Sequence, residues 1–140
     1  MNRLLIVVAL ILGTAEMTLG QAMRSAREGV FTEAQSGTGK TLYDERCASC
    51  HGNMALSAPD MAPMLNDPGF QNLWSKRSLA QLFGRIKESM PQDRPGSLSA
   101  QESADIVAYI LNCNALPPGD TPLPADIEAL KDIRLDAQDP

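Results

Sequence analysis

The stretch Cys47-Ala48-Ser49-Cys50-His51 decides the reading of this chain. Cys-x-x-Cys-His is the attachment pattern for a c-type haem, and its spacing has a physical reason. Two thiols three residues apart on a helical turn share one side, so each can form a thioether to one edge of a porphyrin. The next residue, His51, then projects its imidazole under the ring toward the iron. Three other readings compete. A dithiol redox pair wants a βαβ setting, and the flanking sequence offers none. A zinc site would find four ligands in Cys47, Cys50, His51 and Cys113, but Cys50 and His51 are adjacent, and neighbouring side chains diverge. A structural disulfide would leave His51 without a purpose.

A ligand for the far side of the iron must come from elsewhere. His51 is the only histidine, so bis-histidine ligation within one chain is impossible. A methionine thioether suits haem iron, and Met54, Met61, Met64 and Met90 follow the motif. Met54 is too close to His51 to reach the opposite face. Met61 and Met64 have enough chain to reach. Met90 sits where a helix should end, before Pro91 and the turn Pro95-Gly96, which would hold it in place. Met90 is the expected distal ligand, with Met61 or Met64 as the alternatives, so the expected metal ligands are His51 and Met90.

Composition bounds the rest. The chain has 140 residues, room for one ordinary domain. Apolar residues make up 44%, which excludes a disordered chain. Aromatics are only 4%, so the core must be aliphatic or built around a bound organic group. A net charge of -5 argues against a nucleic-acid partner. At the start, Arg3 precedes an apolar run from Leu4 to Leu12, which Glu16 interrupts. The run falls short of the ~20 residues that a membrane-spanning helix needs. Residues 1–20 read as a secretory signal peptide cleaved near Gly20 or Ala22, with an uncleaved anchor as the alternative. Lipid attachment at the cleavage site is excluded because the first cysteine is Cys47. No other stretch is apolar for long enough to span, so the mature protein should be periplasmic without a stable membrane span.

The organisation that follows is all-α. Residues 21–35 read as a polar linker. A helix is expected over 39–47, with Leu42 and Tyr43 on its apolar side. Residues 52–72, with three prolines and two glycines, read as loop. Ser78-Leu79-Ala80-Gln81 is a capping box, and Leu79, Leu82, Phe83 and Ile86 make an amphipathic helix to Ser89. Pro91 stops it. Ser99-Ala100-Gln101-Glu102 is a second capping box, followed by a buried stripe of Ile106, Val107, Ile110 and Leu111. Pro124 could open a last short helix, with Ile127 and Leu130 facing inward. No segment alternates as a strand would. The expected domain is 36–116, with 117–140 as an extension packing on it or trailing from it. Three to five short helices with such long loops are unusual in a small domain unless they wrap a large buried ligand.

Taken together, the chain resembles the class I mono-haem cytochromes c, in particular small periplasmic ones that accompany quinoprotein dehydrogenases. The matching stretches are Gly39-Lys40-Thr41-Leu42-Tyr43, Cys47 to Gly52, Met90-Pro91 with Pro95-Gly96-Ser97-Leu98-Ser99, and Ala104 to Leu111. The resemblance implies a cytochrome c fold around one covalently bound haem c. It implies that the first and last main helices cross with Gly39 and Tyr43 against Ile106 to Ile110. It implies that a proline carbonyl accepts the His51 Nδ1–H, with Pro63 the best match and Pro59 in reserve. That bond would fix the ring and raise its basicity. Trp74 falls where the family often bonds a haem propionate, though ordinary packing explains a tryptophan equally well.

The expected function is therefore single-electron transfer between redox proteins rather than catalysis. A periplasmic dehydrogenase would be the donor and a terminal oxidase or another cytochrome the acceptor. Two alternatives stand beside it. One is a permanent haem subunit of such a dehydrogenase. The other is a haem enzyme or gas sensor with an open iron position. Residues 71–95 carry a net charge of +3 and residues 101–140 a net charge of -6, a dipolar surface suited to steering a partner. Cys113 departs from the family pattern. Its spacing from Ile106 and Ile110 places it on the buried stripe as an inert thiol, the alternative being a disulfide to another chain.

Overall fold

The computed structural model describes residues 23–54 and 65–136. Its longest elements are helices α1 (Glu33–Arg46) and α5 (Ala100–Cys113), and their crossing is the main contact of the fold. They approach closely because α1 presents glycine there. A Cβ on Gly39 would fall far inside the carbonyl of Asp105 and 3.0 Å from Tyr109 Cβ. Beside it Tyr43 and Tyr109 pack with ring centroids 5.3 Å apart. The crossing matches the one that the resemblance implied.

Between these two helices lie α2 (Ala48–His51), α3 (Pro68–Trp74) and α4 (Leu79–Ser89). Leu79, Leu82, Phe83 and Ile86 of α4 are all buried, as their spacing requires, and so is the α5 stripe. The capping box at the start of α5 is complete: Ser99 Oγ accepts from Glu102 N–H at 3.2 Å, and Ser99 N–H donates to Glu102 Oε2 at 2.7 Å.

Several expectations need correction. The segment read as a linker over 21–35 is structured from residue 24 onward. Arg24–Ser25 form strand β1, Ala26–Glu28 a short 3-10 helix, and Ala26 and Phe31 are fully buried. Helix α1 begins at Glu33, capped by Thr32, because its buried face is made of Gln35, Ser36, Gly39 and Tyr43. Small and polar residues leave no apolar period to read. The loop expected over 52–72 ends at Asp67, whose carboxylate caps α3 by accepting from Phe70 N–H at 2.6 Å, with Pro68 in the first turn. Ser78 stands at the N-cap of α4, but its side chain makes no cap bond. Among the described residues no helix follows Pro124; residues 127–132 are turns. Leu130 points inward as expected, whereas Ile127 is 40% exposed. The absence of strands also fails. Ile133–Leu135 form β3, which lies between β1 and β2 (Arg77–Ser78), parallel to the first and antiparallel to the second.

The fold nevertheless remains a mostly helical one with long connections. Its single core gathers Phe31, Tyr43, Phe70, the α4 and α5 stripes, and Leu116, Leu123, Leu130, Ile133 and Leu135 from the last third of the chain. Gln35 ties that last segment down. Its amide N–H donates to Leu123 C=O and to Asp105 Oδ1, both at 3.0 Å, and its Oε1 accepts from Leu123 N–H at 2.7 Å.

Candidate functional site

The Cys47–His51 stretch is a helical turn. Cys50 and His51 N–H both donate to the Cys47 carbonyl, at 3.1 and 2.9 Å, and Gly52 N–H donates to Ala48 at 2.9 Å. Cys47 and Cys50 are therefore one turn apart, and no disulfide joins them. Cys47 is half-buried against the core, Cys50 and Ser49 are exposed, and His51 is half-buried. Gly52 then leaves the helix with φ 74, a backbone conformation that favours glycine. Its carbonyl accepts from the Tyr43 hydroxyl at 3.0 Å, so the end of the motif is fastened to the α1–α5 crossing.

The chemistry of this turn fits haem attachment better than the competing readings. Burial pushes the Cys47 thiol up to about 11, with Cys50 adding to the rise and the Arg46 guanidinium opposing it. A reactive dithiol pair lowers its thiol instead. Among the described residues, no three histidines, cysteines or carboxylates gather closely enough to hold a metal ion, so Cys113 does not join the motif in a zinc set. What the turn offers is two cysteines one helical turn apart and a histidine at its end.

Met90 caps the C-terminus of α4. Its N–H donates to Ile86 C=O at 3.1 Å, its side chain is half-buried, and a cis bond joins it to Pro91. Pro59, Met61, Pro63 and Met64 lie outside the described residues. Trp74, the last residue of α3, is half-buried; the Phe70 ring is 6.0 Å away and the Arg77 guanidinium lies 5.4 Å from the indole centroid.

Sequence reasoning missed the residues that frame the segment after the motif. Asn66 Nδ2 donates to Met54 C=O at 2.9 Å, and Asn114 Nδ2 donates to Leu65 C=O at 2.8 Å. Gln71 in turn donates to Asn114 Oδ1 at 3.3 Å. Asparagines carry no periodic signal, so only the fold identifies them. The Tyr43 hydroxyl was missed for the same reason: the spacing marked its ring and said nothing of its oxygen.

Residues 34–110 match the family model described as cytochrome c oxidase, cbb3-type, subunit III. The chain belongs to this cytochrome c family. It is a mono-haem c-type cytochrome, with one covalently bound haem c. It is 33% identical over 104 residues to a cytochrome bc1 complex cytochrome c subunit of Corynebacterium diphtheriae. That match covers 69% of this chain but 35% of the relative, so the chain spans about a third of the relative's length. Among solved structures, the sulfane dehydrogenase SoxCD of Paracoccus pantotrophus shares the fold, with a TM-score of 0.51 at 21% identity. The superposition covers 91% of this cytochrome and 68% of the other chain. No helix of the described residues is long and apolar enough to cross a membrane.

Proposed function

We propose that this cytochrome is a periplasmic carrier of single electrons, in which Cys47 and Cys50 fasten the haem, His51 is the proximal ligand and Met90 the distal one. The observation that carries the reading is the Cys47–His51 turn, which sets the two cysteines one helical turn apart with the histidine at its end and its exit fastened by Tyr43. The haem supplies a one-electron iron couple. His51 and Met90 would hold the iron, and the protein's part would be to keep both side chains fixed, so that little need move between oxidation states. Methionine ligation favours the ferrous state and raises the potential. Cys50 and Ser49 lie at the surface, so a haem fastened there would be open to a partner on this side. Pro63 is proposed to accept the His51 Nδ1–H, and Trp74 with Arg77 to receive the propionate edge. The N-terminal Arg3 and the apolar run Leu4 to Leu12 support export.

A dehydrogenase donor and an oxidase or cytochrome acceptor fit this role. The permanent-subunit reading is favoured by the relatives, one named as a complex subunit and one as a dehydrogenase. Stoichiometric co-purification with a dehydrogenase would establish it; recovery of the cytochrome alone supports the free carrier.

Met90→Ala tests the ligand set. The long-wavelength sulfur-to-iron band of the ferric protein should vanish, the potential should fall, and the reduced protein should bind CO rapidly. A band that survives there and disappears in Met61→Ala or Met64→Ala would assign the ligand to the segment after the motif. Rapid CO binding by the unaltered protein would instead mark an open iron site.

A further inference from the structure

Helix α4, which ends at Met90, does not hold its own beginning. Thr32, Asp67 and Ser99 each cap their helices with a side-chain bond, but Ser78 does not. A helix start leaves four N–H groups without intrahelical partners. One of them, that of Ala80, donates to the carbonyl of Leu130 at 3.2 Å. The cap of α4 is thus supplied by a segment fifty residues away in the chain.

The same segment controls the approach to α4. β3 pairs with β2, aligning Arg77 with Leu135 and Ser78 with Arg134. Lys76 N–H donates to Leu135 C=O at 3.1 Å, and Lys76 has φ 68, a left-handed conformation that a non-glycine residue keeps only when its surroundings enforce it. Leu130, Ile133 and Leu135 are buried in the core that also holds Leu79 and Ala80. Leu130 and β3 therefore grip both the two residues before α4 and its first turn.

We infer that this C-terminal strap, residues 130–135, is a positioning element for the distal methionine: it fixes α4, and through α4 the sulfur of Met90. The inference rests on the reading of Met90 as ligand. A helix transmits displacement along its hydrogen-bonded ladder, and α4 runs without a break from the strap to Met90. A metal–thioether bond needs its sulfur held in place, so a loosened first turn of α4 should weaken the hold on Met90 at the other end of the same helix. The strap contributes no atom to the haem; it sets how firmly the sixth position is closed.

The test uses full-length holoprotein. Ala80→Pro removes the N–H that Leu130 accepts, at a first-turn position where no intrahelical bond is lost. Leu130→Ala loosens the strap itself. Ser99→Ala removes a cap of similar size from α5 and serves as the control. Both strap variants should keep haem covalently attached and the helical spectrum intact. They should lose at least half of the sulfur-to-iron band and bind CO at least tenfold faster than the parent, while Ser99→Ala changes neither. Should a strap variant not fold, the parent protein decides on warming: protection of the 133–135 amides against hydrogen exchange and the sulfur band should decline together, before the core melts. A band that persists after strap protection is gone overturns the inference. So do strap variants with a normal band and normal CO rate, or a control that shifts them equally. If the band survives in Met90→Ala, the ligand reading fails and the strap's role with it. If it is lost in Met90→Ala yet intact in both strap variants, the strap alone is refuted.

Discussion

Gly39 is the residue on which the closest helix contact depends. Any side chain there meets the backbone of Asp105, which cannot rotate away. Gly39→Ala should therefore destabilise the holoprotein by about 3 kcal/mol, at the upper end of overpacking penalties, read as a fall in the denaturant midpoint. Tyr43→Phe keeps the ring contact with Tyr109 and loses only the bond to Gly52 C=O. It should cost about 1 kcal/mol, and its greater effect should be faster hydrogen exchange in the turn ending at His51. Cys113 is half-buried, and burial raises its thiol above the ordinary range, although the bond to Tyr109 opposes the rise. The thiolate is then scarce at neutral pH, so a thiol reagent should label the native protein far more slowly than the unfolded one. Rapid native labelling, or a covalent dimer on a non-reducing gel, would point to pairing with another chain.

At the scale of elements, the helix ends differ in what secures them. In α5 the Ser99 backbone N–H, and with it the Ser99 side chain, holds the Glu102 carboxyl below its usual range. A lowered acid contributes stability that is complete above its unfolded value of about 4.3 and is lost as pH falls through its folded value. The stability gap between the parent and Glu102→Gln should thus be present at neutral pH and close in acid, as followed by chemical denaturation. Ser99→Ala should cost about 1 kcal/mol at neutral pH. Ser78→Ala should be close to neutral, because that hydroxyl makes no cap bond and the strap serves α4 instead.

For the whole molecule, charge is distributed unevenly. Lys76, Arg77, Arg85 and Arg94 are exposed on the side that carries α4, and the acids concentrate in the last third of the chain. Arg77 is also stacked on Trp74, so its charge has a fixed place. Reversing Lys76 and Arg77 to glutamate should slow electron uptake from an acidic partner at low salt. The difference should shrink as the Debye length falls to about 10 Å at 0.1 M. Equal rates at low salt would show that this face does not dock.

Local chemistry was legible wherever neighbouring residues sufficed. The Cys47–His51 turn is legible because its function needs residues adjacent in the chain. The α4 and α5 stripes are legible because burial against one core imposes a helical period on apolar residues. The Gly39–Tyr43 crossing was reachable only through resemblance, since a face of Gln35, Ser36 and Gly39 shows no apolar period. Tertiary structure alone decided the rest. Phe31 is buried although its neighbours read as a linker. The amide of Gln35 became the clasp of the last segment because Leu123 and Asp105 lie beside it only in the fold. Ile133–Leu135 became a strand because β1 and β2 lay open on either side of it, and backbone N–H and C=O groups must find partners when buried. A pattern in sequence records what a residue's near neighbours demand; a bond between residues fifty or more apart leaves no local trace.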